Sequence, residues 1–324
     1  MNMTDMKKII LIALGVIALV ALSVFSFRSD APIVTENGIA GEGKPRIIAT
    51  FYPLAEFSRM AGGEAVEVSS IVPSGIEPHE YEPTPRDLIS IEQADIFVMN
   101  GAGMDPWAEN LARSLRGKGV IVIDASRSVS LLVKEEHEEE TEEARGTYDP
   151  HFWLDPVFAA GIVGSIRDAL SGKYPAHTEA YESSAAEAMS GLAALDAEYR
   201  TTLSSCVRHE VIASHNAFAY LSERYGFTAH SISGLSPEME PSAGRMADLV
   251  DLAKKENIRY IFFETLVSPK VSETLAREIG AETLVFDPLE GLSPEAVARG
   301  EDYFSVMREN LANLSKALEC KASL

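Results

Sequence analysis

Eight short runs rich in β-branched and aromatic residues punctuate this chain, and amphipathic stretches of helical period separate them. That alternation constrains the fold most, because a strand followed by a helical crossover returns to a parallel sheet. The first set of runs is PRIIATFY (45–52), VEVSSIV (66–72), ADIFVMN (94–100) and GVIVIDA (119–125). The second is EVIASH (210–215), FTAHSIS (227–233), RYIFFE (259–264) and ETLVFD (282–287). Two α/β lobes are expected, each a parallel β-sheet flanked by helices, over 45–177 and 206–324. A length of 324 residues, beyond the usual single domain, agrees with this.

Between the lobes, Tyr181, Ala185, Ala188, Leu192, Leu195, Tyr199 and Leu203 recur at three- and four-residue steps. The spacing predicts a single long rigid helix over 178–205, a spine between lobes and not a flexible hinge. Phe304, Met307, Leu311, Leu314 and Leu318 repeat the pattern near the C-terminus and are read as core.

At the other end, Lys7 and Lys8 precede an apolar run from Ile9 to Phe27, long enough to cross a bilayer. Residues 1–28 are read as a signal peptide or membrane anchor, with the N-terminus cytoplasmic and all that follows Arg28 outside. No cysteine suited to lipidation and no A-x-A cleavage site follows, which favours an uncleaved anchor. Polar, Gly-containing residues 29–44 serve as a tether.

Asp and Glu number 49 against 28 Lys and Arg, a net charge of -21 that repels nucleic acid and anionic lipid and favours cations. Residues 134–144 (KEEHEEETEEA) place seven glutamates around His137 and read as a solvated loop, with weak cation collection as the alternative. The two cysteines, Cys206 and Cys320, are open to a disulfide or to two free thiols.

In open α/β sheets, ligands bind beyond the carboxyl ends of the strands. His79, His151, His215, Glu264 and Asp287 lie there. Three imidazoles with a carboxylate suit a divalent transition metal, zinc above all. Pro78, Pro73, Pro83 and Pro85 stiffen the loop around His79, so that it loses less entropy on coordination. Pro150 does the same for His151, and Phe152 and Trp153 limit water there. Taken singly, Asp287 has the position of a helix N-cap, and Glu264 reads as a cap or a support for a ligand. His137, His177, His209 and His230 are read as structural. No phosphate loop, G-x-S-x-G elbow or H-E-x-x-H helix occurs. Ser214 and His215, adjacent on a strand, point to opposite faces and form no catalytic pair.

Together, IIATFYPLAEF, IEPHEYEPTPRDL, ADIFVMNGAGMDPWAENL, DPHFWLDP, ASHNAFAYLSERYGF, SISGLSPEMEPSA and VFDPLEG resemble, in order, the zinc- and manganese-type solute-binding proteins of ABC importers (the ZnuA and TroA type). The resemblance runs from Arg46 to Ser323. It implies an extracytoplasmic monomer with two lobes on one long helix, which binds one metal between them and delivers it to a membrane permease. The implied ligands are His79, His151, His215 and Asp287. Histidine at the third position favours Zn²⁺, while Asp287 keeps Mn²⁺ open. The acidic loop resembles the His-rich loop of zinc-type members but holds a single histidine. Rival readings are a metal-dependent hydrolase with Glu264 as general base, and a surface adhesin.

Overall fold

The computed structural model describes residues 43–133 and 148–321. The expected membrane segment and residues 29–42 of the expected tether therefore lie outside the described residues, as does the acidic loop. Among the described residues no helix is long and apolar enough to cross a membrane.

All eight expected strands form. The first lobe holds β1 (Arg46–Ala49), β2 (Glu67–Ser70), β3 (Ile96–Met99) and β4 (Ile121–Asp124), ordered β2-β1-β3-β4. The second holds β5 (Glu210–Ala213), β6 (Thr228–Ser231), β7 (Tyr260–Phe263) and β8 (Glu282–Val285), ordered β6-β5-β7-β8. Every pairing is parallel; Ile47 faces Val68 and Ile96, for example. Helices α1 (Tyr52–Gly62), α2 (Pro85–Glu92), α3 (Pro106–Leu115) and α4 (Pro156–Lys173) serve the first lobe. Helix α5 (Thr178–Leu203) follows, and α6 (Ala219–Tyr225), α7 (Ala243–Lys255), α8 (Lys270–Ile279), α9 (Pro294–Arg299) and α10 (Tyr303–Ala317) complete the second.

Period-two alternation sends successive side chains to opposite faces of a strand. Thus Ile47, Ile96 and Val98 join one core, while Ile48, Phe97 and Met99 join another with Ile91 of α2 and Ala108 and Leu115 of α3. Both faces are covered, as a parallel sheet requires. The second sheet is built alike, with Ile212 and Ile261 packing on Leu249, Ala253 and Leu275 of α7 and α8.

The long helix is as expected, and all seven residues of its apolar stripe are its buried residues. The core that includes this stripe is continuous through both lobes, reaching Ile162 and Val163 of α4 on one side and Met307 and Leu314 of α10 on the other. Tyr199 adds a hydrogen bond from its hydroxyl to the Met307 carbonyl at 2.6 Å. A shared apolar core of this kind resists the domain motion that a small polar interface would permit. Of the residues expected in the core near the C-terminus, Phe304 is only half-buried, because it lies over Gly191 at the edge of the spine.

Cys206 and Cys320, left open by the sequence, are joined in a disulfide. The bridge ties the end of α5 to the end of α10, at the amino ends of the strands of the second sheet.

Candidate metal centre

The carboxyl ends of the strands converge where the lobes meet, and each brings a loop. After β2 the chain runs through the proline-rich loop that carries His79. Thr84 ends that loop with a capping box on α2: its N–H donates to Asp87 Oδ2 at 2.8 Å and its hydroxyl accepts the Asp87 N–H at 3.3 Å. His151 precedes a short 3-10 turn, Phe152–Leu154, and Asp155 then caps α4 by accepting the Val157 N–H at 2.9 Å. His215 follows β5, Glu264 follows β7, and Glu290 lies in the loop after β8.

Three Nε2 atoms and one carboxylate oxygen meet at the centre. Glu290 Oε1 lies 3.1 Å from His79 Nε2, 3.4 Å from His151 Nε2 and 3.2 Å from His215 Nε2. His151 Nε2 is 3.3 Å from His79 Nε2 and 3.4 Å from His215 Nε2. The four donors all fall within 4.8 Å of one another. Donors bound 2.0–2.1 Å from a tetrahedral zinc stand about 3.3 Å from each other. Five of the six separations in this cluster are therefore those of a four-coordinate zinc shell, and the sixth, from His79 Nε2 to His215 Nε2, lies within 4.8 Å. His151 and His215 are fully buried, Glu290 is 1% exposed, and the His79 side chain, at 10%, is the one that reaches towards solvent.

Carboxylates behind the rings fix which nitrogen faces the centre. His151 Nδ1–H donates to Asp149 Oδ1 at 2.8 Å, and His215 Nδ1–H donates to Glu264 Oε1 at 2.5 Å. A carboxylate only accepts, so each Nδ1 carries a proton and Nε2 is the nitrogen left to face the centre and bind a cation there. Ser214 donates to the same Glu264 oxygen. Glu264 thus supports a ring. The main chain of His79 is held too, its N–H lying 3.1 Å from both oxygens of Glu77. Trp153 stands 5.1 Å from the His151 ring and donates its indole N–H to the Pro288 carbonyl at 2.8 Å, a bond from one lobe to the other.

Four lone-pair donors packed together in the dry interior demand positive charge among them. Burial alone would depress His215, yet the Glu264 and Glu290 carboxylates hold it well above the ordinary histidine value. His151 is likewise raised by Asp149 against the effect of burial. Burial dominates at His79 and lowers it. Glu290, despite burial, is held well below the usual carboxylate range by His215 and by hydrogen bonds from all three rings.

The structure brings His79, His151 and His215 together but does not bring Asp287 with them. The fourth corner belongs to Glu290, three residues further on. Asp287 accepts the Leu289 N–H on Oδ1 at 2.7 Å and the Thr265 hydroxyl on Oδ2 at 2.5 Å, and burial pushes it up to about 6. Its carboxylate is spent on the loop itself. Among the expected structural histidines, His230 pairs with Glu210 at 2.6 Å. Sequence reasoning missed Glu290 and Asp149. The pattern D-P-H carried a signal for Asp149, two residues before a ligand-capable ring, whereas nothing local distinguishes Glu290 from its neighbour Asp287.

Fold and site together define a class: two-lobed binding proteins with a closed nitrogen- and oxygen-donor centre between parallel-sheet lobes. Residues 47–317 match the family described as ZnuA, zinc-uptake complex component A, periplasmic. The chain is 39% identical over 284 residues to the high-affinity zinc uptake system protein ZnuA of Bacillus subtilis (strain 168), covering 86% of this chain and 89% of that one. It is 36% identical over 310 residues to the zinc-binding protein AdcA of Streptococcus pyogenes serotype M6, covering 91% of this chain but 60% of that protein. It thus spans about three-fifths of the AdcA length. The crystal structure of the Zn(II)-bound ZnuA-like domain of Streptococcus pneumoniae AdcA matches with a TM-score of 0.74 at 39% identity, covering 86% of this chain and all of that domain. The chain belongs to the ZnuA family.

Proposed function

We propose that this chain captures Zn²⁺ outside the cytoplasm through His79, His151, His215 and Glu290, and hands it to the membrane permease of an ABC importer. The observation that carries the reading is the spacing of 3.1–3.4 Å between a single oxygen of Glu290 and the three Nε2 atoms. Three nitrogens and one oxygen are a donor set that suits tetrahedral zinc, whereas manganese prefers octahedral, oxygen-rich sites. The names of the relatives, a zinc uptake protein and zinc-binding proteins, support the same cargo.

Four protein donors complete a tetrahedral shell and leave no position for an activated water, so the arrangement favours binding over hydrolysis. Exchange with solvent runs past His79, the one partly exposed ring, on a loop stiffened by proline. The core shared along α5 keeps the lobes together, so capture proceeds by small adjustments at the loops.

The test is a chelator-competition titration of the metal-stripped full chain with Zn²⁺ and Mn²⁺, repeated with His79→Ala. One zinc per chain, bound more tightly than manganese and weakened in the variant, supports the proposal. Equal zinc affinity in wild type and His79→Ala contradicts it.

A further inference from the structure

We propose that Asp287 is the positioning residue for the carboxylate of the centre: it sets the turn that delivers Glu290 to the three histidines. The inference rests on the zinc-binding reading above. After β8 the chain must turn sharply, and Asp287 accepts the N–H of Leu289, two residues on, at 2.7 Å. That is the side-chain turn which Asp forms with its own backbone. Leu289 takes φ of 56°, in the left-handed region that branched side chains disfavour, and it does so fully buried. Such a conformation persists only where its surroundings over-determine it.

The surroundings do so here. Thr265 fixes the second oxygen of Asp287 at 2.5 Å. Asn310 holds the Asp287 main chain on both sides, accepting its N–H at 2.8 Å and donating to its carbonyl at 2.7 Å. The residue immediately after the left-handed turn is Glu290. Without the Asp287 bond, Leu289 relaxes towards negative φ, and rotation at that position swings the Glu290 main chain away from the rings. Asp287 itself lies outside the cluster of donors, so its effect on the metal passes through Glu290.

The experiment measures zinc affinity of the full chain by chelator competition in Asp287→Ala, Asp287→Asn, Glu290→Ala and the double variant Asp287→Ala/Glu290→Ala. Loss of a group that orients a ligand typically weakens metal binding about 10–100-fold, and Asp287→Ala is expected in that range. Asp287→Asn keeps the acceptor for Leu289 while removing the charge, and is expected within about threefold of wild type. In the Glu290→Ala background, Asp287→Ala is expected to cost less than about threefold, because residues that act through one another are not additive. Cobalt(II) absorption separates this role from general destabilisation: Asp287→Ala should change the ligand-field bands of the bound ion, and Asp287→Asn should restore them.

An equal loss with and without Glu290, or an Asp287→Asn variant as weak as Asp287→Ala, overturns the inference while leaving the zinc site intact. Wild-type affinity in Glu290→Ala instead removes the ligand set on which it rests. Should Asp287→Ala not fold, Thr265→Val frees the same carboxylate with every charge kept. It must then weaken binding in the wild-type background and not in Glu290→Ala.

Discussion

His79 Nε2 and Glu290 Oε1 lie 3.1 Å apart although 211 residues separate them in the chain. The loops that carry them are bound to each other as well. Gly75 N–H and the Ser74 hydroxyl both donate to the Leu292 carbonyl, at 2.9 and 2.5 Å. The candidate metal centre and a lobe-to-lobe contact are thus built from the same two loops, and a cation bound there would add a further tie between lobes that already share one core.

Removing Glu290 removes the one anion of the centre. Glu290→Ala is expected to weaken Zn²⁺ binding by more than about 100-fold, beyond the range for groups that merely orient a ligand. Chelator competition checks this.

The supporting carboxylates should matter less, and through the rings. Asp149→Ala and Glu264→Ala each free an imidazole to rotate and to change tautomer, with an expected loss of about 10–100-fold in zinc affinity. NMR of the ring nitrogens in the zinc-loaded protein should show Nε2 coordination at all three histidines in wild type, and a mixed population at the ring whose partner is lost.

Zinc affinity should rise with pH. His215 and His151 are raised, so in the metal-free protein these rings keep protons to a pH above the ordinary histidine value of 6.5, and zinc must displace them. For each proton displaced, affinity falls about tenfold per pH unit, and the decline should begin above pH 6.5 as pH is lowered. The same shifts act on folding of the metal-free chain. The raised histidines contribute stability that is full below 6.5 and is lost as pH rises through their folded values. Proton release on adding zinc to a weakly buffered sample measures the first effect, and thermal melting across pH the second.

The disulfide should be felt in stability and not in binding. Cys206 and Cys320 close a span of 114 residues, for which loop-closure entropy predicts about 4–5 kcal/mol, and measured losses of native disulfides run about 2–5 kcal/mol. Cys206→Ser/Cys320→Ser is expected to be less stable by such an amount and to melt at a lower temperature. Its zinc affinity should stay near wild type, because the bridge sits at the amino ends of the strands and the metal centre at the carboxyl ends.

Much of this architecture could be read from the chain because it depends on local periodicity. The stripe from Tyr181 to Leu203 is buried residue for residue, since a helix of that length has one face towards a common core. The three histidines came together because strand ends in parallel sheets share one edge. The fourth corner was not legible. Asp287 and Glu290 lie in one short loop, and which of them faces the rings depends on the left-handed conformation of Leu289, a backbone choice that no apolar pattern encodes. The fate of the cysteines was equally hidden, for it depends on where α5 and α10 end relative to one another.

Four protein donors surround one zinc in the centre proposed above, and X-ray absorption at the zinc edge of the loaded full chain tests that shell most directly. Such a shell predicts four nitrogen or oxygen neighbours at about 2.0–2.1 Å with the outer-shell scattering of three imidazoles. A five- or six-coordinate shell, or fewer than three imidazoles, would contradict it.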